Sequence, residues 1–141
     1  MLQLINQLTR ERGTMMQEFI FFIRKRNRSE LTLAPDQHQK FLKACESYIG
    51  RLKKEGKLLS AQPIEWGGNI VSRSEGEWKH GNFNESGEYI GGYYHLRAKN
   101  LDEAISIAKA NPEFEYNPNT RIEVRPIKMK EESTGFVYPK E

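Results

Sequence analysis

The chain has 141 residues, of which 37% are apolar and 29% are charged, and this composition fits one globular domain with its own core. The 22 basic and 19 acidic residues leave a net charge of +3, which is too balanced for a nucleic-acid-binding surface. Cys45 is the single cysteine, and no apolar run is long enough to span a membrane. We therefore expect a cytoplasmic domain without disulfides, membrane contact or direct nucleic-acid contact.

The periodic patterns lie in the middle of the chain. The stretch before residue 16 is too interrupted by polar residues for a signal peptide, and we interpret residues 1–15 as an N-terminal extension. Residues 16–128 form the expected domain. Residues 129–141 are expected to be a polar C-terminal tail.

The first half of the domain predicts a strand, a helix and a second strand. The aromatic and β-branched run QEFIFFIR, residues 17–24, predicts a buried strand. The basic stretch RKRNR that follows lacks interleaved aromatic residues, so we interpret it as a solvated loop. Pro35 begins a helix that Gly56 ends, with apolar residues at three- and four-residue spacing between them. KLLSAQPI, residues 57–64, predicts the next strand.

The second half predicts a hairpin, a core strand, a helix and a last strand. NIVSR and EWKH flank the turn SEG and predict a small exposed hairpin. GEYIGGYYHLRA, residues 87–98, predicts a core strand, and Asn100 with Glu103 three residues later predicts a capping box at the start of a second helix. After the loose segment EFEYNPNT, RIEVRPI predicts the last strand.

This order of elements, β-α-β-β-α-β with a hairpin insertion, is that of an α+β ferredoxin-like fold. Two helices cover one face of the antiparallel sheet and leave the other face open. An open apolar face on a small domain usually has a partner. We therefore expect a homodimer formed by two open sheet faces.

Side-chain alternation assigns the residues of the last two core strands to the two sheet faces. Ile90 and Gly92 are expected to meet the helices, and Tyr89 to point away from them. Gly91 then leaves room for a ligand on the open face, although dense packing would also explain both glycines. The open face is expected to hold a ligand site or, alternatively, a polar dimer interface, built from Gly91, Tyr93, His95, Arg97, Glu123 and Arg125.

Three histidines are the candidate acid–base catalysts, because imidazole ordinarily titrates near neutral pH. His95 lies on the expected open face, and His80 ends the hairpin, where it is either a general base reaching over the cleft or an exposed loop residue. His38 lies on the apolar stripe of the first helix, where a hydrogen-bonded core histidine is the alternative. Their spacing matches no metal motif, and no phosphate loop or dinucleotide fingerprint is present. We therefore expect neither a metal nor a cofactor.

The phrase GEYIGGYYHLRAKNLDEAISIAKANP, followed by IEVRPI, resembles the signature half of the YCII-related proteins, specifically their DGPF branch. The likeness extends back over KEGKLLSAQPI to QEFIFFIR and covers nearly all of residues 16–128. It implies a dimeric α+β barrel, in which two ferredoxin-like sheets pack face to face around a cavity. One departure is that His80-Gly81-Asn82-Phe83 stands where the branch has Asp-Gly-Pro-Phe, so a role for that Asp is not carried over.

The resemblance implies three kinds of function, and whether the chain is an enzyme stays open. The first expectation is that a small molecule binds in the cavity of the dimeric barrel. Members of the wider family are regarded as candidate enzymes because a His and an Asp lie near the cavity, and some relatives act on chlorinated aromatic rings or resemble lactone isomerases. The resemblance therefore implies, as an alternative, an isomerase or dehydrochlorinase-like activity with a cleft histidine as acid or base. Members of the DGPF branch are often encoded beside extracytoplasmic-function sigma factors, which implies a regulatory protein partner instead.

Overall fold

The computed structural model describes residues 16–26, 33–82 and 87–138. The predicted order of elements is confirmed, with element ends within two residues of the predicted ones, and a short helix is added in the segment EFEYNPNT. The elements in chain order are β1 (Gln17–Arg26), α1 (Pro35–Lys54), β2 (Leu58–Pro63), β3 (Asn69–Ser74), β4 (Glu77–Asn82), β5 (Glu88–Ala98), α2 (Leu101–Lys109), α3 (Glu113–Tyr116) and β6 (Arg121–Pro126).

Strands β2, β5, β1 and β6 form one antiparallel sheet in that spatial order. Strand β1, which contains three phenylalanines, lies inside the sheet and pairs on both sides, as its dense apolar sequence predicts. The hairpin β3–β4 forms a separate two-stranded sheet. The fold is therefore α+β and ferredoxin-like, with the hairpin inserted between β2 and β5.

The core lies between the sheet and the helices. Phe19, Phe21 and Leu96 are completely buried there, and each such side chain contributes about 1.5–3 kcal/mol to folding by leaving water. Helix α2 packs through Ala104 and Ala108, whose small side chains let the helix lie close to the sheet. Helix α1 contributes Tyr48 and Leu52. None of the helices in the described residues is both long and apolar enough to cross a membrane.

The capping box predicted at the start of α2 is confirmed. The side chain of Asn100 accepts a hydrogen bond of 2.9 Å from the backbone N–H of Glu103. The carboxylate of Glu103 accepts one of 2.7 Å from the backbone N–H of Lys99, and this bond lowers the pKa of Glu103 below its usual value. Helix α2 can therefore begin directly after β5.

A β-bulge interrupts β5 at Gly91. Ile23 of β1 lies opposite Gly92, whereas Arg24 lies opposite Ile90, so Gly91 is the extra residue. An inserted residue reverses the alternation of side chains. The faces predicted for the part of β5 that precedes Gly92 were therefore wrong. Tyr89 is buried with 7% exposure, and Ile90 is 40% exposed on the open face.

Candidate functional site

The open sheet face is built mainly by β1 and the strands on either side of it. Side chains at alternate positions of β1 point away from the helices, and the register places Ile20 between His95 and Arg125. Phe22 lies in the same way between Tyr93 and Glu123. A half-buried apolar stripe on β1 is thus flanked on both sides by polar groups.

His95 is held on this face by a buried carboxylate. Its Nε2 donates a hydrogen bond of 2.8 Å to Oε1 of Glu18, whose side chain is only 7% exposed against 33% for His95. A carboxylate in this position orients the imidazole and fixes which ring nitrogen carries the proton. The alternation placed Glu123 on the same face as His95, but Glu18 was missed, although Glu18 shares the alternation of Ile20 and Phe22.

Arginines and glutamates form an ionic network at the other end of the face. Arg24 pairs with Glu88 and, at 3.3 Å, with Glu123. Arg121 pairs with Glu88 at 2.8 Å, and Arg125 pairs with Glu123 at 3.2 Å. The hydrogen bond from Arg121 is the largest cause of the lowered pKa of Glu88, and the charge of Arg24 acts in the same direction. The carboxylate of Glu88 is thereby kept ionised.

A cavity of about 550 Å³ lies between this network and the hairpin. Phe22, Arg24 and Ile90 form its sheet side, and Ile64 and Ile70 form an apolar wall beyond the sheet edge. Its size falls in the range of small-molecule sites. The hairpin insertion therefore has a structural role as one wall of this cavity.

The structure does not bring the three candidate histidines together. His38 is exposed near the start of α1, on the helix side of the sheet, with the centre of its ring 6.5 Å from that of Phe41. His80 is exposed on β4, beside a surface depression that Ile70 and Lys79 also line. Across residues 16–26, 33–82 and 87–138, no group of three or more His, Cys, Asp or Glu side chains is arranged to hold a metal ion.

Two of the expected ligand-binding residues have different surroundings from those the sequence suggested. Gly91 belongs to the helix side, because a Cβ atom built there would lie 3.0 Å from the side chain of Lys25, which is buried. Arg97 lies on the open side but is exposed, at the end of β5 remote from the bulge. Tyr93, Glu123 and Arg125 lie on the open face as the alternation predicts, and the Tyr93 hydroxyl lies 2.9 Å from Oγ of Ser60.

Comparison with protein families gives one match. The model of the YCII-related domain matches residues 18–128. The chain belongs to the YCII-related family. Its matched region begins at Glu18, the partner of His95, and ends just after β6, so it contains the open face and the hairpin. A search of curated proteins found no match for this YCII-related chain.

Proposed function

We propose that this YCII-related protein binds a small organic acid in a cavity that two copies close by packing their open sheet faces together. The proposal rests on the combination of apolar and charged side chains on that face. Half-buried Ile20 and Phe22 and exposed Ile90 form its centre, and an ionic network and a histidine–carboxylate pair flank them. Apolar side chains at the centre of an exposed sheet face favour a protein partner.

The hairpin supports the same proposal. Ile70, Val71 and Trp78 are more than half exposed, with the guanidinium of Arg73 5.0 Å from the centre of the Trp78 ring. A second copy on the open face would cover part of this surface and close the cavity beside it. The proposal also holds that the chain belongs to the DGPF branch, forms a homodimer and is located in the cytoplasm.

The charge of the network indicates the class of ligand. Three guanidinium groups, those of Arg24, Arg121 and Arg125, share two carboxylates, those of Glu88 and Glu123. Arg24 is the network arginine that lines the cavity, together with Glu65, Glu88 and Glu123. Because Glu88 and Glu123 also pair with Arg121 and Arg125 outside the lining, Arg24 is the group through which the cavity would hold an acid. An arginine fork binds a carboxylate through two parallel hydrogen bonds, and the apolar wall suits a hydrocarbon body on the same molecule.

Replacing Arg24 by glutamine tests this ligand class. We expect benzoate and phenylacetate to bind in calorimetric titrations and their uncharged amides to bind at least about tenfold more weakly, since the amides lack the charge-assisted hydrogen bond. Arg24→Gln should weaken carboxylate binding by a similar factor. The matched control Lys43→Gln, on the exposed surface of α1, should leave it unchanged.

Equal binding of acids and amides, or an equal loss in both variants, would contradict the proposed ligand class. The folds of both variants can be compared by circular dichroism before titration. Arg121 and Arg125 still pair with Glu88 and Glu123 when Arg24 is replaced, so the network keeps its carboxylates compensated.

A second candidate function is acid–base catalysis by His95. The observation that favours it is the hydrogen bond from His95 to buried Glu18, which is the arrangement that holds a general base in one orientation. His95 lies on the open face outside the lining of the cavity, so this function requires an acid that also extends over the face enclosed between the two copies. The imidazole would then remove a proton from the carbon next to a carbonyl group of that acid, and Glu18 would stabilise the imidazolium that forms. Return of the proton to another atom would complete an isomerisation.

Replacing His95 by glutamine separates catalysis from binding. In deuterated buffer, the wild-type protein should accelerate loss of the methylene proton signals of phenylpyruvate above the buffer rate. His95→Gln should reduce this acceleration by about 100-fold, which is the lower end of the contribution of a general base, while phenylpyruvate still binds. Unchanged exchange in His95→Gln would exclude His95 as the base and leave the binding proposal intact.

A further inference from the structure

A second cavity lies on the helix side of the sheet, opposite to the proposed organic acid site. Its volume is about 330 Å³, at the lower end of the range of small-molecule sites. It lies beneath α1, between that helix and the strands β2 and β5. The side chains that give it an apolar lining are those of Ile23, Phe41, Leu42, Ile49, Ala61, Pro63 and Tyr94.

The two glycines of β5 form part of the floor of this cavity. A Cβ atom at Gly92 would lie 3.1 Å from the carbonyl oxygen of Gln62 and 3.3 Å from Cα of Pro63, so glycine lets the backbone of β2 come close. At Gly91, a Cβ would press on the stem of Lys25. Neither position carries a side chain, so this part of the floor is formed by backbone at the bulge.

Besides exposed Glu46, the polar lining of the cavity includes Glu113. Oε1 of Glu113 accepts hydrogen bonds from Nζ of Lys25 at 2.5 Å and from Nδ2 of Asn117 at 2.9 Å. The side chains of Lys25 and Glu113 are only 11% and 13% exposed. The cavity thus presents a firmly held hydrogen-bond acceptor whose charge is compensated by the lysine.

The walls favour a flat, uncharged molecule. The ring of Phe41 packs on Tyr116 at 5.5 Å between centroids, and that of Tyr94 meets Tyr48 edge-on at 5.6 Å. Cys45 also lines the cavity. Its pKa is raised to about 11, mainly by burial of the thiol, so the thiol is neutral at physiological pH. Aromatic and aliphatic side chains beside the Glu113 acceptor therefore suit an aromatic ring that carries one hydrogen-bond donor.

We propose that this helix-side cavity binds a small, neutral aromatic molecule that carries one hydroxyl donor, with the hydroxyl directed to Glu113. The cavity and the proposed organic acid site lie on opposite faces of the sheet. The proposal therefore does not depend on the open face or on a dimer. A phenol is the simplest molecule of this class.

Titration with p-cresol, followed by nuclear magnetic resonance of the full-length protein, tests the proposal. We expect saturable shifts of the amide signals of Gly91 and Gly92 with millimolar affinity, which is usual for so small a ligand. Toluene, which has the same ring without the donor, should bind about tenfold more weakly. Cys45→Phe, which fills the cavity from α1, should abolish the shifts, whereas Ser47→Phe on the exposed surface of the same helix should keep them.

The chain's single cysteine gives an independent readout that requires no variant. Bound p-cresol should slow the reaction of Cys45 with iodoacetamide in proportion to occupancy, and toluene at the same concentration should slow it less. Absence of saturable shifts at Gly91 and Gly92, or equal binding by wild type and Cys45→Phe, would overturn the proposal. Equal affinity for p-cresol and toluene would overturn the role of Glu113 as the acceptor.

Discussion

Replacing Gly92 by valine is expected to lower the free energy of unfolding by about 3 kcal/mol, at the upper end of the usual cost of overpacking. The added Cβ would lie 3.1 Å from a backbone oxygen of Gln62 and 3.3 Å from Cα of Pro63. Backbone atoms cannot move aside as a flexible side chain does, so β2 must separate from β5 or bend. Urea denaturation monitored by circular dichroism measures the change.

The matched control for Gly92→Val is Gly81→Val, also in a strand. Within the described part of the chain, a Cβ at Gly81 has no heavy atom within 4 Å beyond its immediate neighbours. We expect its free energy of unfolding to change by less than about 0.5 kcal/mol, as is usual at open surface positions. If both variants lost the same free energy of unfolding, the close approach of β2 would not be the reason for glycine at position 92.

Replacing Lys25 by methionine should cost about 3 kcal/mol of folding free energy. Methionine keeps most of the apolar stem but removes the ammonium group, which leaves the carboxylate of Glu113 with Asn117 but without its cation. Removing one member of a buried ion pair typically costs about 3–5 kcal/mol, and the 11% and 13% exposure of these two side chains favours the lower value. Thermal and urea unfolding both report the loss.

A double variant distinguishes loss of the ion pair from loss of packing. Lys25→Met combined with Glu113→Gln removes both charges and should recover at least about 1 kcal/mol of the single-variant loss, because no uncompensated charge stays buried. Lys128→Met is the surface control. Its partner is Glu131 and its side chain is 63% exposed, so a change below about 0.5 kcal/mol is expected. Strictly additive effects of the two core substitutions would contradict a coupled pair.

Local sequence signals predicted the elements and their order because each signal acts over a few residues. The aromatic run of β1, the proline at the start of α1 and the Asn100 cap of α2 all specify structure close to themselves. The ferredoxin-like topology followed from the order of elements, and the YCII-related family from the second half of the chain.

The side-chain contacts at the two proposed sites join distant parts of the chain and have no local signal. Lys25 and Glu113 are 88 residues apart, and Glu18 and His95 are 77 apart. Lys25 was expected in a solvated loop because the basic run around it resembles one, but β1 continues through it to Arg26. The bulge at Gly91 was also hidden, since glycine in a strand fits a bulge, close packing or an open cleft equally well.

Sedimentation velocity at micromolar concentration tests most directly the claim that the open face is completed by a second copy. The account predicts a single species of twice the monomer mass of 16.5 kDa. Phe22→Glu, which places a charge at the centre of the face, should shift that species to monomer, whereas Leu101→Glu at the exposed start of α2 should not. A wild-type protein that sediments as a 16.5 kDa monomer at every concentration would contradict the account.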